Sequence, residues 1–308
     1  MGRQRARRAG QGGGVSLRIG LHANPRKPAA IELARRAVGL INGRAEVLVS
    51  DESAGIAPEL AHKPIEELDP DVLIAIGGDG TFLYTLRRSD APLLPINAGT
   101  VGVLAEVEAA RPNEFEGAIE RLLKGFYFLE ERMKLAALVG TTPVPDATND
   151  FVLHSAQVGK MGLFEIAFDG HVAGQIRADG LIVASPTGST AYSLSSLGPI
   201  VDPGLDAIVL TSIAPFRVEA RALVIEPLRS VRLRLIKPGR GALVIADGQD
   251  EYPLPLESAL TVYRSPRRAT LVRFGSRFFQ RLRGKRILPW TEDGSGGGPS
   301  GADLPPRA

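Results

Sequence analysis

The sequence predicts a chain in two parts, an α/β unit at the amino end followed by an all-β unit. Three observations predict this. Apolar strand-like runs alternate with helix-patterned stretches through the first part of the chain. After residue 125 the texture changes to short β-rich pieces separated by Gly, Pro and Asp. The 308 residues, 44% of them hydrophobic and none of them cysteine, suffice for two hydrophobic cores without covalent staples.

The elements follow in order. The opening MGRQRARRAGQGGG (1–14) is rich in arginine and glycine and has no hydrophobic face, so a disordered tail is expected. VSLRIGLHAN (15–24) reads as a first strand and AAIELARRAVGLIN (29–42) has helical spacing. AEVLVS (45–50) is a second strand. DVLIAI (71–76) is fully apolar, as a parallel strand covered on both faces must be. APLLPINAG (91–99) supplies another short strand, and NEFEGAIERLLKG (113–125) a helix that joins the halves, closing an α/β domain over 15–125.

From 126 to 265 the pieces KLAALVG, DFVLHSAQVG, FEIAFDGHVAG, GLIVAS, AIVLTSI, ALVIEP, VRLRLIK, ALVIADG and LTVYRS predict a layered sheet or sandwich. The stretch ATLVRFGSRFFQRLRGKRIL mixes one strand with a basic helix, and residues 266–290 are expected to pack back on the first domain. Residues 291–308 are of low complexity and expected to be disordered.

Composition narrows the function classes. Without cysteine there are no disulfides, thiolate metal sites or cysteine nucleophiles. His22, His62, His154 and His171 are scattered and lack zinc-ligand spacing, so no structural metal is expected. A net charge of +3 gives little ground for nucleic-acid binding beyond the tail. No apolar run reaches the ~18 residues of a membrane span, and no secretory signal is visible, so a cytoplasmic protein is expected.

Two segments carry chemistry. DVLIAI runs directly into Gly77–Gly78–Asp79–Gly80–Thr81. Glycines there let backbone N–H groups approach an anion, and FLYTLRR behind them can begin a helix whose positive end faces the same anion. Asp79 makes sense beside phosphate if it holds a divalent cation or accepts the proton of an attacking hydroxyl; a tight turn after a buried strand is the alternative. The second segment, RADGLIVASPTGSTAYSLSSLGPIV (177–201), gathers hydroxyls and turn formers at 185–190, with Tyr192 as a plate for a base. Its alternative is an ordinary loop in which Thr187 or Ser189 caps a helix beginning near Ala191.

With GGDGT, INAGTVGVLAEV (96–107), Asn149–Asp150, RADGLIVASPTGSTAYSLS (177–195) and ADGQ (246–249) in order, the chain resembles the NAD kinase family. The resemblance implies the two-domain architecture that NAD kinases share with diacylglycerol kinases, with NAD in the cleft between the domains. It implies ATP or polyphosphate as donor, a divalent cation such as Mg²⁺, and a homodimer or homotetramer. Asp79 would accept the proton of the adenosine ribose 2′-hydroxyl, and Gly80 would lie in the NAD site within the turn Gly77, Gly78 and Thr81. Asn149 and Asp150 match an Asn–acidic pair that contacts the dinucleotide. Lys160 matches a basic contact. Arg177 and Asp179 match a further pair, Asp179 near the nicotinamide. Thr190, Ala191, Tyr192, Ser193, Leu194 and Ser195 match the segment that binds adenine and ribose, often in a neighbouring subunit's cleft. Ala214 and Gln249 match two more contacts.

Two departures stand out. Val103 replaces a common aromatic, and 211–227 lacks the His-Ser-Leu that commonly follows the family's Pro. A lipid or sugar kinase sharing the turn, and a non-catalytic NAD(P)-binding regulator, are the competing readings.

Overall fold

The computed structural model describes residues 17–60, 62–99, 102–111, 113–157, 159–217, 219–236, 241–275, 278–284 and 287. The two expected tails, 1–14 and 291–308, and positions 100–101 of the INAGTVG segment lie outside the described residues.

Strand β1 (Arg18–Ala23) leads through helix α1 (Pro28–Ile41) to β2 (Glu46–Ser50) and a two-residue β3 (His62–Lys63). Then come β4 (Val72–Gly77), α2 (Asp79–Arg88), β5 (Leu93–Asn97), the short β6 (Val107–Glu108) and α3 (Glu114–Leu123). The strands run parallel in the order β5-β4-β1-β2-β3. β4 shows why its sequence is unbroken in hydrophobicity. Val72, Ile74 and Ile76 pack into one core with α1 and α3, while Leu73 and Ala75 pack into another with α2. A strand with a helix on each face needs apolar side chains at every position. α1 meets it with Ala30, Leu33, Ala34, Ala37 and Ile41, all buried at helical spacing.

The second half contributes β7 (Phe128–Val139), β8 (Thr142–Ala147), β9 (Asp150–Ser155), β10 (Gly162–Phe168), β11 (His171–Ala178) and β12 (Gly180–Ala184), then the one-turn α4 (Tyr192–Ser195). β13 (Ile208–Ile213), β14 (Leu223–Ile225), β15 (Val231–Leu235), β16 (Ala242–Ala246), β17 (Asp250–Leu254), β18 (Leu260–Arg273) and α5 (Phe278–Gly284) complete it. Six of these strands form an antiparallel sheet in the order β14-β13-β12-β9-β16-β17. The others extend the parallel sheet through β11-β10-β15-β18 onto β5. The two-part architecture expected from the sequence is present, but its second part is not a closed sandwich: one of its layers continues into the first part's sheet, joined where Leu271 of β18 pairs with Leu93 of β5.

LTVYRS and ATLV, read separately from the sequence, are one strand. β18 pairs with β7 from Leu260 to Arg273, with a register shift between Arg264 and Arg268. Pro266 sits inside that shift, where a missing N–H costs no ladder bond. The Ser265 hydroxyl closes the bulge, donating to Asp146 at 2.6 Å and accepting the Arg267 N–H at 2.9 Å.

α2 is gripped at both ends. Phe82, Leu83 and Leu86 are buried against the sheet. At its carboxyl end the buried Lys134 of β7 donates to the Leu86 carbonyl at 2.9 Å, satisfying a carbonyl the helix cannot. Burial lowers this lysine's pKa, with the nearby Arg267 acting in the same sense. Lys134→Met keeps the stem's volume and leaves the carbonyl bare. It is expected to cost ~1–3 kcal/mol, read as a lower urea midpoint at unchanged m-value.

Candidate active site

At the carboxyl ends of the parallel strands, Gly77 closes β4, Gly78 caps α2 and Asp79 is the helix's first residue. The sharpness of the turn depends on Gly77, since a Cβ there would collide with the Thr81 side chain. The Thr81 hydroxyl accepts a bond from the Asn24 amide at 3.3 Å, and the Asn24 N–H donates to the Ile76 carbonyl at 2.9 Å, so the loop after β1 is clipped onto the turn. The N–H groups of the first turn of α2 have no carbonyl within the helix and create a positive end.

The Asp79 carboxylate is fixed by the segment between β5 and β6. It accepts the N–H of Val103 at 2.9 Å on Oδ2 and of Leu104 at 3.2 Å on Oδ1. Gly102 permits this approach, because a Cβ would stand 2.5 Å from Asp79 Oδ1. Behind that loop, Arg273 donates to the Leu104 carbonyl at 2.9 Å and pairs with Glu106 at 3.2 Å and Glu130 at 2.6 Å. Arg132 pairs with Glu130 and reaches the Thr187 hydroxyl at 3.4 Å. Burial alone would raise Glu130, but the guanidinium groups of Arg273 and Arg132 together bring it down to about 2.

The opposite wall comes from the six-stranded sheet. The Asp247 carboxylate, buried at the end of β16, accepts the N–H groups of Thr148 at 3.0 Å, Asn149 at 2.7 Å and Asp150 at 3.2 Å. Ser185 fixes the same loop, its hydroxyl donating to the Thr148 carbonyl at 2.5 Å and its N–H to the Asn149 carbonyl at 2.8 Å. Gly188 packs so closely that a Cβ would fall on the Asn149 carbonyl. Gln249 then crosses the cleft, its Nε2 donating to the Gly80 carbonyl at 2.7 Å. Burial raises both aspartates. Asp150, beside the Asp247 charge, is pushed up to about 8, whereas the three N–H groups and Arg87 pull Asp247 back towards the anion.

Models of the ATP-NAD kinase N-terminal domain and the ATP-NAD kinase C-terminal domain match residues 19–127 and 148–274. The chain is 39% identical to the NAD kinase of Thermococcus sibiricus over 85% of this chain and 96% of that one. It is 36% identical to the NAD kinase of Methanothermobacter thermautotrophicus over 88% and 96%. The chain belongs to the NAD kinase family. Its structure is similar to that of an Archaeoglobus fulgidus NAD kinase solved in complex with ATP, with TM-score 0.71 and 28% identity over 88% of this chain and all of that one. It also shares the fold of yeast NADH kinase solved with NADH, with TM-score 0.81, 21% identity and coverage of 91% and 90%. Membership makes the chain a phosphotransferase that converts NAD to NADP. The family match spans both parts of the chain, which a lipid or sugar kinase sharing only the glycine turn would not produce.

The residues predicted from sequence fall into two groups. Gly77, Gly78, Asp79, Gly80 and Thr81 form the turn at the start of α2, to which Gln249 is bonded through Gly80, and Asn149 and the buried Asp150 are held by Asp247 two residues from Gln249, with the 185–190 loop behind Asn149. Lys160, Arg177, Asp179 and Ala214 gather at the other end of β9 and β12. There Asp179 accepts the Ser155 N–H at 3.0 Å and donates its own to Ile213 at 3.0 Å, and Arg177 accepts the Phe216 N–H at 2.9 Å. Ala184 lies opposite Asp150 and Gly180 opposite His154, so the groups stand about 13 Å apart along the strand.

Between them, Thr190 ends a 3₁₀ turn and Ala191 precedes α4. Tyr192 and Ser195 are exposed, Leu194 is half-buried, and the buried Ser193 bonds Thr211 at 2.9 Å. Neither Thr187 nor Ser189 caps a helix; the Ser189 hydroxyl instead bonds the Pro186 carbonyl at 2.7 Å.

Sequence reading passed over Asp247 and Lys27. The Lys27 ammonium stands where Cβ atoms on Gly78 and Gly99 would meet it at 3.4 and 3.2 Å, with no hydrogen-bond or ion-pair partner among the described residues. The positive φ of Asp247, 51°, leaves no mark in a sequence, and Lys27 reaches the turn only because β1 and β4 are neighbours.

The raised Asp150 carries a pH signature. A carboxyl whose folded pKa exceeds its unfolded value stabilises the fold fully below the unfolded pKa and loses that contribution as pH rises through the folded one. Stability should therefore decline between about pH 4 and pH 8, and Asp150→Asn should flatten that decline, as urea midpoints across the range will read out.

Proposed function

We propose that NAD lies in the cleft between the glycine turn and the 148–150 wall, with its adenosine 2′-hydroxyl directed at Asp79. One observation carries this reading: Asp79 is fixed by two N–H groups of the 102–104 loop while Gln249, from the β-rich part, bonds the carbonyl of the very next residue. The two bonds hold the Asp79 carboxylate in one orientation at the first turn of α2, and a carboxylate is the chemistry that can accept a substrate hydroxyl's proton.

The 2′-oxygen then bonds to the terminal phosphorus of the donor. The bridging P–O bond breaks towards the leaving diphosphate, and the hydroxyl proton passes to Asp79. The first turn of α2 faces the transferring group, whose charge its dipole and N–H groups favour. Positioning and charge neutralisation supply most of the acceleration in such transfers.

No group of three or more His, Cys, Asp or Glu among the described residues could hold a metal. Mg²⁺ is commonly carried by phosphates and water with one or two carboxylates, and we take it to enter as part of the nucleotide substrate. Asn149 and Asp150 are assigned to the dinucleotide, and Thr190 to Ser195 to its adenosine. Lys160, Arg177, Asp179 and Ala214, displaced along β12, are assigned to the cleft of a neighbouring copy in a homodimer or homotetramer. The domain division is placed near residue 125, with the segment after 265 returning to the first domain. A cytoplasmic setting completes the reading, supported by the cysteine-free composition.

Asp79→Asn keeps an acceptor for only one of the two loop N–H groups and removes the base. It is expected to lower kcat by roughly 10²–10⁴ with a lowered thermal midpoint but a retained cooperative thermal transition, turnover being measured as NADP formation with an NADP-specific dehydrogenase. Near-normal turnover in a folded variant would remove Asp79 from the proton transfer.

A further inference from the structure

The hairpin of β16 and β17 lies along α2 and touches it at two places. In the first turn of the helix, Gln249 Nε2 donates to the Gly80 carbonyl at 2.7 Å. Near its carboxyl end the Arg87 guanidinium pairs through Nη2 with Asp250 and reaches the Tyr252 hydroxyl at 3.4 Å. Gly80 and Arg87 are seven residues apart, so they share a face of the helix and stand about 10 Å apart along its axis. We propose that Arg87 is a positioning residue: its grip on Asp250 and Tyr252 sets the angle of the hairpin against α2, and so places the Asp247 carboxylate, and the 148–150 segment it holds, relative to the glycine turn. The inference rests on the reading that NAD lies against that segment.

Connectivity comes first. Asp247 follows Ala246, which pairs with Asp250 across the hairpin, and the turn between them is tight, the Gln249 N–H donating to the Ala246 carbonyl at 2.9 Å. The contacts made by Gln249 and Asp250 therefore fall within three residues of the carboxylate that accepts the Thr148, Asn149 and Asp150 N–H groups. Gln249 alone would give the hairpin one pivot on α2. Arg87 supplies the second point, and two points define a direction.

Charge comes second. The Arg87 side chain is 2% exposed and that of Asp250 39%, so the cation is sealed in while its partner stays wetted. Burial raises Asp247, and the Arg87 charge favours its anion together with the three N–H groups. An ionised carboxylate is an acceptor at both oxygens, as three converging N–H groups require; a protonated one gives up part of that capacity.

The cost of the residue comes third. Arg87 Nε and Nη1 are buried without a hydrogen-bond partner among the described residues, and unfilled buried donors oppose folding. What a guanidinium supplies here, and an apolar chain of similar length would not, is a directed bond and a charge.

The test uses the whole purified chain with saturating ATP, as wild type, Arg87→Met, Arg87→Lys, Asp250→Asn, the double variant Arg87→Met/Asp250→Asn, and Asn149→Ala. Steady-state rates give kcat and the KM for NAD, and amide hydrogen exchange without ligands compares the 148–150 N–H groups with those of β12. Arg87→Met is expected to raise the KM for NAD about tenfold, the loss of one charge-assisted bond, with kcat within about twofold of wild type. Exchange at 148–150 should quicken about tenfold with β12 unchanged. Arg87→Lys should restore most of the KM. The double variant should be no worse than Arg87→Met, because the two residues form one contact. A folded Arg87→Met that loses thermal stability but keeps wild-type KM and wild-type exchange at 148–150 would overturn the proposal, as would a double variant whose effects simply add. If Arg87→Met does not fold, Asp250→Asn, at a half-buried position, decides: a raised KM with faster exchange supports the tie, and wild-type values remove it. The two readings fail separately. Faster exchange at 148–150 with a wild-type KM keeps the tie and removes NAD from that wall, whereas a raised KM in Asn149→Ala beside an unaffected Arg87→Met keeps NAD there and removes the tie.

Discussion

Three consecutive backbone N–H groups, those of Thr148, Asn149 and Asp150, converge on the carboxylate of Asp247, and the second wall of the cleft follows from that convergence. Successive residues of an extended strand direct their N–H groups to opposite edges, so three can meet one acceptor only if the chain curls there. The positive φ of Asp247 aims the acceptor, and Ser185 and Gly188 press the curled segment from the other side. The return bond from the Asp247 N–H to the Asp150 carbonyl at 2.9 Å makes the arrangement reciprocal. Two buried carboxyl groups in contact cannot both ionise cheaply. Burial raises both, but the N–H bonds favour the anion at Asp247, whereas Asp150, with burial and that neighbouring charge acting together, is pushed up to about 8.

Much of the α/β part was legible in the sequence because its signals are local and doubled. β4 had to be apolar at every position, and the glycines after it had to permit a turn that Thr81 crowds. The helix between 29 and 42 was written in its spacing and appears as α1, one residue out of phase at its start. The second half was less legible. Pro266 reads as a strand end, yet tertiary pairing with β7 carries the strand past it as a bulge. β8 and β17 are interrupted by Pro and polar residues, so propensity hides them, and only neighbouring strands make them strands.

The site divides along the same line. Gly77 to Thr81 and Gln249 could be found from motifs, since the chemistry of a glycine turn is carried by adjacent residues. Lys27 and Asn24 could not, because what brings them to Gly78 and Thr81 is the parallel pairing of β1 with β4, which sets the loops after the two strands side by side. The 185–190 run was legible as unusual and misleading as to use. Its hydroxyls are largely spent on the protein's own carbonyls, so that it shapes the wall on which Asn149 rests.

The remaining question is why so much charge is buried behind Asp79. Arg273 and Glu106 are nearly inaccessible, Arg132 hardly less so, and Arg132 Nε, Arg273 Nη2 and Arg281 Nε lack partners. Buried ion pairs seldom stabilise more than an apolar packing would, and unfilled donors add to the cost. What these groups do is positional. Arg273, at the end of the last strand, grips the Leu104 carbonyl one peptide from the N–H groups that hold Asp79, while Arg281 on α5 and the Phe274 N–H close on Glu106. Any slip of β18 against β5 would strand a charge in an apolar interior. The loop that aims the carboxylate is thereby tied to the register of a strand whose other half belongs to the opposite domain. The two walls of the cleft can then differ in sequence origin by more than a hundred residues and still share one frame.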